Sequence, residues 1–407
     1  MAGSQETVST EQFEPFLKAA KDAIARGDPP GLVVLIWRNS EIFDAALGLR
    51  VVEESLPMRR DTIFRIASMT KPITSALIMM LMEEGKLRLN DPAVNWAPEL
   101  ANRRVLKDPE GPIDDTYPSP REITIEDLLT HRSGLAFDFS ASGPIAAAYR
   151  TTLENSIAFG PDEFLEALAT LPLCFAPGER WRYSESTNVL GVLAGRIAGK
   201  PFRDVLRDRI LEPLGMKDTD FWVPPEKSGR LARVYSLDPR TGVLAPTPVW
   251  PRDAVPKFCS GGGGLVSTAD DYLKFARMML GRGEADGVRL LKPETVAVMT
   301  GDRLTAAQRA ILVRDEPHWE GEGFGLGVGI DIDAERRIRY GASTNGAYGW
   351  PGAFGTWFRV DPSQNMVMIY LAQYSVSLIP ENMVRIVTGK GTPLETLQRV
   401  TYAALGR

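Results

Sequence analysis

The sequence predicts an α+β fold: a mainly antiparallel sheet flanked by helices, with a mostly helical lobe inserted between the halves of the sheet. Three observations point there. Strand patterns cluster at the two ends of the chain, at Leu32–Trp37 and Ile42–Leu49 and again at Phe324–Asp333, Gly352–Val360 and Met366–Tyr374. The stretch from about 90 to 225 is helical in period instead, with proline-rich connections. The 407 residues, 44% hydrophobic and 24% charged, suffice for a substantial core and two lobes. The expected division is a discontinuous sheet lobe, residues 1–66 and 225–407, and a helical lobe, residues 67–224, with a cleft between them.

Glu11–Arg26 has an amphipathic period and is stopped by Gly27-Asp28-Pro29-Pro30-Gly31. The first two strands form a hairpin through Arg38–Glu41, and Asp61–Ile66 reads as a further crossing. It leads into an apolar helix around Ile73–Met82, ended by Gly85. In the helical stretch Thr124 caps a helix start, Ala141–Thr152 reads as a mobile loop, and Pro161–Leu171, Thr187–Ala198 and Phe202–Ile210 read as helices. Arg233–Pro251 reads as a long surface excursion, and Ser267-Thr268 caps a helix running to Leu280. Asp361–Asn365 joins the last two strands, and a helix at Pro393–Leu405 packs on them.

Composition excludes several classes. The net charge is −5 and no basic run appears, which argues against a nucleic-acid partner. No apolar run reaches a membrane span. The first residues, Met1–Thr7, lack a charged segment and an apolar core of a leader, so a cytoplasmic location is expected. Cys174 and Cys259 read as buried free thiols of a reducing compartment. With two histidines, no His-Glu-x-x-His and no Cys/His cluster, neither a metal nor another cofactor is expected. No Gly-x-Ser-x-Gly elbow occurs. The run Gly261–Gly264 lacks the ending of a phosphate loop and reads as close backbone packing under a site.

The organising stretch is Thr62–Pro72, which holds Ser68-x-x-Lys71. A spacing of three stacks the two side chains on one helix face. A lysine there can take the serine proton if burial or a neighbouring cation lowers its pKa. Ser68 falls near a helix N-terminus, where free N–H groups favour developing negative charge, and Pro72 suits a first turn. An isolated pair of this kind also fits a capping serine beside a solvated lysine, so its company along the chain matters.

That company is ordered. Phe64–Lys71, Leu128-Leu129-Thr130-His131-Arg132-Ser133-Gly134-Leu135, Pro177–Ser184, Gly261–Thr268 and Tyr348-Gly349-Trp350-Pro351-Gly352 occur in sequence. Together they resemble the serine β-lactamase and penicillin-binding-protein superfamily, and within it the class C-like branch that includes the family VIII carboxylesterases. The resemblance covers roughly Phe13 to Ala404. It implies a serine β-lactamase-like fold, Ser68 as nucleophile, Lys71 as its base or electrostatic partner, and Tyr183 as the tyrosine of the family's Tyr-x-Asn, facing the serine. It leaves open whether Lys71 or Tyr183 takes the proton first. By the same resemblance, Trp350 and Gly352 edge the substrate site where the superfamily carries Lys-Thr-Gly, and the N–H groups of Ser68 and Ala353 form an oxyanion hole.

Two departures bear on substrate. Glu185 replaces the asparagine of Tyr-x-Asn, and Trp350 replaces the lysine that helps hold a substrate carboxylate. The resemblance therefore implies hydrolysis of short-chain carboxylic esters through an acyl-serine. The alternatives are a β-lactamase or D-amino-acid peptidase, or an acyltransferase using the same acyl-enzyme. The expected partner is a small-molecule ester; a homodimer is compatible with the sequence, which does not set the oligomeric state. His131 invites a general-base reading but belongs to a stretch that recurs in the superfamily as a structural loop. Arg132 and His318 read as structural or surface residues, and Phe137, Tyr149, Trp250 and Trp319 as residues of rim loops.

Overall fold

Alternation along Gly31–Arg38 sets the layering. Successive strand side chains point to opposite faces, so a strand buried on both faces is apolar throughout. Val33 and Leu35 join one buried cluster, while Leu32, Val34 and Ile36 join another. In the computed structural model, which describes residues 10–238, 241–375 and 385–406, this strand lies inside an eight-stranded sheet. The order is 322–324, 329–331, 348–352, 356–361, 366–372, 31–38, 40–51, 56–57. Every neighbouring pair is antiparallel. The N-terminal strand pairs with Met366–Ala372 from the other end of the chain, Leu32 opposite Ala372 and Arg38 opposite Met366.

Each face has its own cover. Phe13, Phe16 and Ala20 of the first helical segment and Leu394, Leu397 and Tyr402 of the last helix pack on Leu32, Val34, Met368 and Tyr370. The other face shares one continuous core with the Ser68 helix and the helical stretch, from Val33 and Ile369 through Ile73 and Leu77 to Leu128 and Val189. The helix Thr70–Glu83 is buried at every residue from Thr70 to Leu81, as expected of a helix that is mostly apolar around its circumference.

Several expectations are corrected. Phe324–Asp333 is two strands, Glu322–Phe324 and Gly329–Asp331. Gly327, at φ +91°, turns between them, where a Cβ would stand 2.1 Å from Ser75 Oγ of the Ser68 helix. Gly352–Val360 is likewise a hairpin, Tyr348–Gly352 and Thr356–Asp361, turning through Gly355 at φ +73°. Asp61–Ile66 does not cross the main sheet; only Phe64–Arg65 is strand, paired with Val266–Ser267. The expected mobile loop 141–152 is largely the helix Gly143–Leu153, held by buried Ile145 and Tyr149 one turn apart, with Pro144 in its first turn. Within the 233–251 excursion, Tyr235–Leu237 pairs with Leu244–Pro246, and residues 239–240 lie outside the described residues. The leader reading at Met1–Thr7 also lies outside them. Cys174 is buried, Cys259 is partly buried and both are free thiols. Among the described residues no helix is long and apolar enough to cross a membrane.

Candidate active site

Ser68 stands in a 3-10 turn, Ala67–Met69, that runs into the helix Thr70–Glu83. Ala67 has φ +45°, a conformation that an alanine adopts only when its surroundings hold it there. Those surroundings are visible. Ile66 N–H donates to Leu265 O at 3.1 Å, Tyr272 Oη donates to Met69 O at 2.9 Å, and Leu265 N–H donates to Thr70 Oγ1 at 3.2 Å. The strained turn leaves Ser68 half-buried on the wall of a cavity of about 1190 Å³.

Lys71, one turn later, is 1% exposed. Its Nζ is 3.2 Å from Ser68 Oγ and 2.6 Å from the carbonyl oxygen of Gly262, and lies 4.4 Å from the centre of the Tyr183 ring. Burial lowers the Lys71 pKa to about 7, against the opposing pull of the Glu185 carboxylate. Because Gly262 O can only accept, a neutral Lys71 gives it one N–H and keeps a lone pair for the Ser68 hydroxyl.

Tyr183 completes the group from the segment just before the helix Ser186–Ala198. Its phenol hydrogen-bonds Ser68, and Trp350 Nε1 donates to it at 3.2 Å. An indole N–H is only a donor, so the phenol oxygen accepts from Trp350. Burial pushes the Tyr183 pKa upward, with both hydrogen bonds opposing, so the group is a neutral phenol. Trp350 is thus not only a wall: it orients the tyrosine. His131 packs its ring 4.9 Å from that of Tyr183 and shares a 3.0 Å hydrogen bond through Nδ1 with Ser184 Oγ. Burial, aided by the Lys71 charge, holds His131 neutral. These contacts describe a support beneath Tyr183.

The glycine run has a specific job. Thr74 Oγ1 donates to Gly261 O at 2.8 Å, and a Cβ on Gly261 would stand 2.7 Å from Thr187 O. Asn188 Oδ1 accepts from Gly262 N–H and Ser260 Oγ, each at 2.7 Å, which fixes its amide so that Nδ2 faces the Glu185 carboxylate. The Gly262 carbonyl is thereby aimed at Lys71. Glu185 is 9% exposed, and burial raises its pKa to about 7 while Asn188 and Lys71 oppose.

The opposite wall is the hairpin Tyr348–Asp361. Thr356 Oγ1 donates to Ile66 O at 3.1 Å, tying the hairpin to the backbone two residues before Ser68. A Cβ on Gly352 would lie 2.1 Å from Thr356 Oγ1 and 2.5 Å from Ile66 O. Gly352→Ala is therefore expected to cost about 1–3 kcal/mol through overpacking and to lower activity as well, because the displaced atoms carry Ser68 and Ala353; thermal melts beside ester turnover check both. Ala353 lines the cavity together with Ser68 and Trp350.

The structure thus joins Ser68, Lys71, Tyr183 and Trp350 by direct contacts, with Ala353 on the same cavity and Gly352 in the seam behind it. Tyr149 and Trp319 are not rim-loop residues: they are 1% and 2% exposed, Tyr149 Oη accepting from Ala136 N–H and Trp319 packing at a tilt against Trp181 and Trp350. His318 is buried rather than superficial, which lowers its pKa to about 4. Trp250 is half exposed on the cavity rim. Sequence reasoning missed Asn188 and the Gly262 carbonyl, whose roles depend on pairing across more than seventy residues. Among the described residues no group of His, Cys, Asp and Glu could hold a metal.

A family model described as Beta-lactamase matches residues 16–381. Protein Rv1367c of Mycobacterium tuberculosis (strain ATCC 25618 / H37Rv) is 45% identical over 390 residues, covering 92% of this chain and 95% of its own length. Esterase EstB of Burkholderia gladioli is 34% identical over 265 residues, 60% of this chain and 64% of its own. The solved structure of EstCE1, described as a hydrolase with promiscuous acyltransferase activity, superposes with a TM-score of 0.80 over 96% of this chain and 98% of that one, at 24% identity, a likeness of fold. With the family model matching most of its length, this chain belongs to the beta-lactamase family.

Proposed function

We propose that the protein is a serine hydrolase that cleaves short-chain carboxylic esters through an acyl-Ser68 intermediate. The observation that carries this reading is the convergence on one hydroxyl of a buried lysine brought to a pKa of about 7, 3.2 Å away, and a neutral tyrosine. Family membership and the 34% identity to Esterase EstB support it.

Lys71 takes the proton as Ser68 Oγ attacks the ester carbonyl, since at neutral pH a substantial fraction of the lysine is uncharged and the tyrosine is a phenol. Tyr183, hydrogen-bonded to Ser68 on one side and fed by Trp350 on the other, passes a proton to the departing alkoxide and recovers one from Lys71. The N–H groups of Ser68 and Ala353 stabilise the tetrahedral oxyanion. Water then enters by the reverse route, deprotonated through the same pair, and frees the acid. The buried cradle around Lys71 costs stability and is reasonable only where a neutral amine is needed.

A second reading, transfer of the acyl group to an acceptor alcohol, draws on the described activity of EstCE1 and on the size of the cavity, which has room for more than a short acyl group. β-Lactam cleavage is less suited, because Trp350 stands where a cation is wanted. Hydrolysis of p-nitrophenyl acetate and butyrate measured beside nitrocefin tests the order: fast esters with slow nitrocefin are expected, and fast nitrocefin with poor esters would reverse the assignment. Diversion of acyl groups to an added alcohol at the expense of free acid would favour the transferase.

A further inference from the structure

The ester chemistry leaves a buried arginine of the cleft without a role. Arg252 lines the same cavity as Ser68 and is 8% exposed. Among the described residues its side chain meets no carboxylate. Its side chain donates from Nη1 to the carbonyl of the adjacent Pro251 at 3.2 Å, and among the described residues Nε has no partner. Arg65 is near enough to feel its charge; it is 9% exposed, its Nη1 donates to Ala232 O at 3.3 Å and its Nε is also unpartnered. Burial lowers the pKa of both guanidiniums, that of Arg65 to about 10, where the Arg252 charge adds to the effect. The neighbouring Cys259 thiol supplies no counter-charge, because burial pushes its pKa up to about 12.

Two like charges buried together without an anion are an expensive arrangement. Other arginines of the cleft are engaged: Arg150 meets Asp138 at 3.3 Å, Arg180 meets Glu179 at 2.8 Å, and Arg182 donates from Nη1 to Ser140 O at 3.0 Å. A guanidinium offers a planar fork of donors suited to a carboxylate. We propose that Arg252, backed by Arg65, is a carboxylate-binding subsite of this cleft, and that the ester cleaved at Ser68 carries a free carboxylate. This rests on the Ser68 hydrolase reading. It also changes the substrate expectation: the lysine absent at Trp350 is replaced by a cation from a different part of the chain. The cleft also carries the carboxyl groups of Glu110, Asp138, Glu154, Glu185, Asp315 and Glu316, so a singly charged carboxylate suits it better than a doubly charged phosphate.

The test compares matched esters in wild type and Arg252→Met. Mono-p-nitrophenyl succinate against p-nitrophenyl butyrate places the carboxylate on the acyl side; 4-acetoxybenzoate against phenyl acetate places it on the alcohol side. In wild type one carboxylated ester is expected to exceed its neutral counterpart in kcat/KM by about 10- to 100-fold, the range for hydrogen bonds to a charged group, and in R252M that ratio is expected to fall to about 1. No preference in either pair, or a preference that survives R252M, overturns the subsite. Ser68-dependent turnover of the neutral esters without a preference overturns the subsite alone and leaves the hydrolase standing.

If none of the four esters is turned over in a Ser68-dependent way, the hydrolase reading fails and melting decides the subsite. Succinate raising the Tm of wild type but not of R252M supports it; equal shifts, or none, refute it. Without anion, R252M is expected to melt no lower than wild type, since an unpaired buried charge is removed, whereas a structural arginine would lower the Tm when lost. Arg252→Lys, which keeps the charge and loses the fork, is expected to reduce the ratio at least about threefold, and an unchanged ratio counts against the proposal.

Discussion

Replacing Ser68 by alanine is expected to lower kcat/KM for p-nitrophenyl butyrate by about 10⁴-fold or more, the scale on which an acyl-transfer site depends on its nucleophile. Without Oγ no acyl-enzyme can form, and Lys71 has nothing to deprotonate at 3.2 Å. A residual rate from positioning and the oxyanion site is expected, since substrate binding does not use the hydroxyl. The fold has little reason to suffer. Ser68 is half-buried on the cavity wall, and the turn that presents it is held through backbone atoms of Ile66 and Met69 and the side chain of Thr70. Two readouts separate chemistry from damage. The Tm of Ser68→Ala should stay close to that of wild type, and an organophosphonate that labels wild type by one adduct mass should leave the variant unlabelled. Ester turnover that survives the substitution would place the nucleophile elsewhere.

The legible parts of the molecule were those written in short-range pattern. Gly31–Arg38 and Met366–Ala372 are continuous apolar runs, so the sheet joining the chain's two ends could be anticipated. Ser68 and Lys71 are three apart across a 3-10 turn that runs into a helix beginning as Pro72 suggests, and Thr124 and Thr268 cap helices where expected. What failed did so for identifiable reasons. The helix Gly143–Leu153 carries Ile145, Tyr149 and Leu153 at intervals of four, a stripe one residue wide in an alanine-rich stretch opened by Gly143 and Pro144, which is a weak signal for a helix. The hairpin turn at Ala353–Gly355 is masked in the sequence because Ala353 and Phe354 continue the apolar run. The Asn188–Gly262–Lys71 connection is invisible in any window, since its geometry is created by packing two distant segments on one helix. In the sequence Trp350 shows as a lost charge; its donor function toward Tyr183 depends on where the tyrosine lies.

Lys71 makes the sharpest pH-dependent statement. Lys71→Met is expected to lower kcat by about 10²- to 10⁴-fold, the range for loss of a general base. In wild type kcat/KM should rise with pH through about 7, as the buried ammonium loses its proton. Glu185 opposes that loss, so Glu185→Gln should shift this limb to lower pH; a shift upward, or none, would show that Glu185 does not face Lys71 electrostatically. Stability should carry the same signature. Between about 7 and the ordinary 10.5 of lysine, the unfolded chain holds the Lys71 proton and the folded chain does not, so this group makes stability rise with pH across that window. Glu185 acts in the opposite sense: between 4.5 and about 7 the folded chain retains its proton, and stability falls as pH rises. The pair alone therefore contributes a minimum near pH 7, where the site is being asked to deprotonate a serine. Lys71→Met should remove the alkaline arm of that minimum in denaturant melts across pH, and an arm that persists in the variant would assign the buried titration to another group.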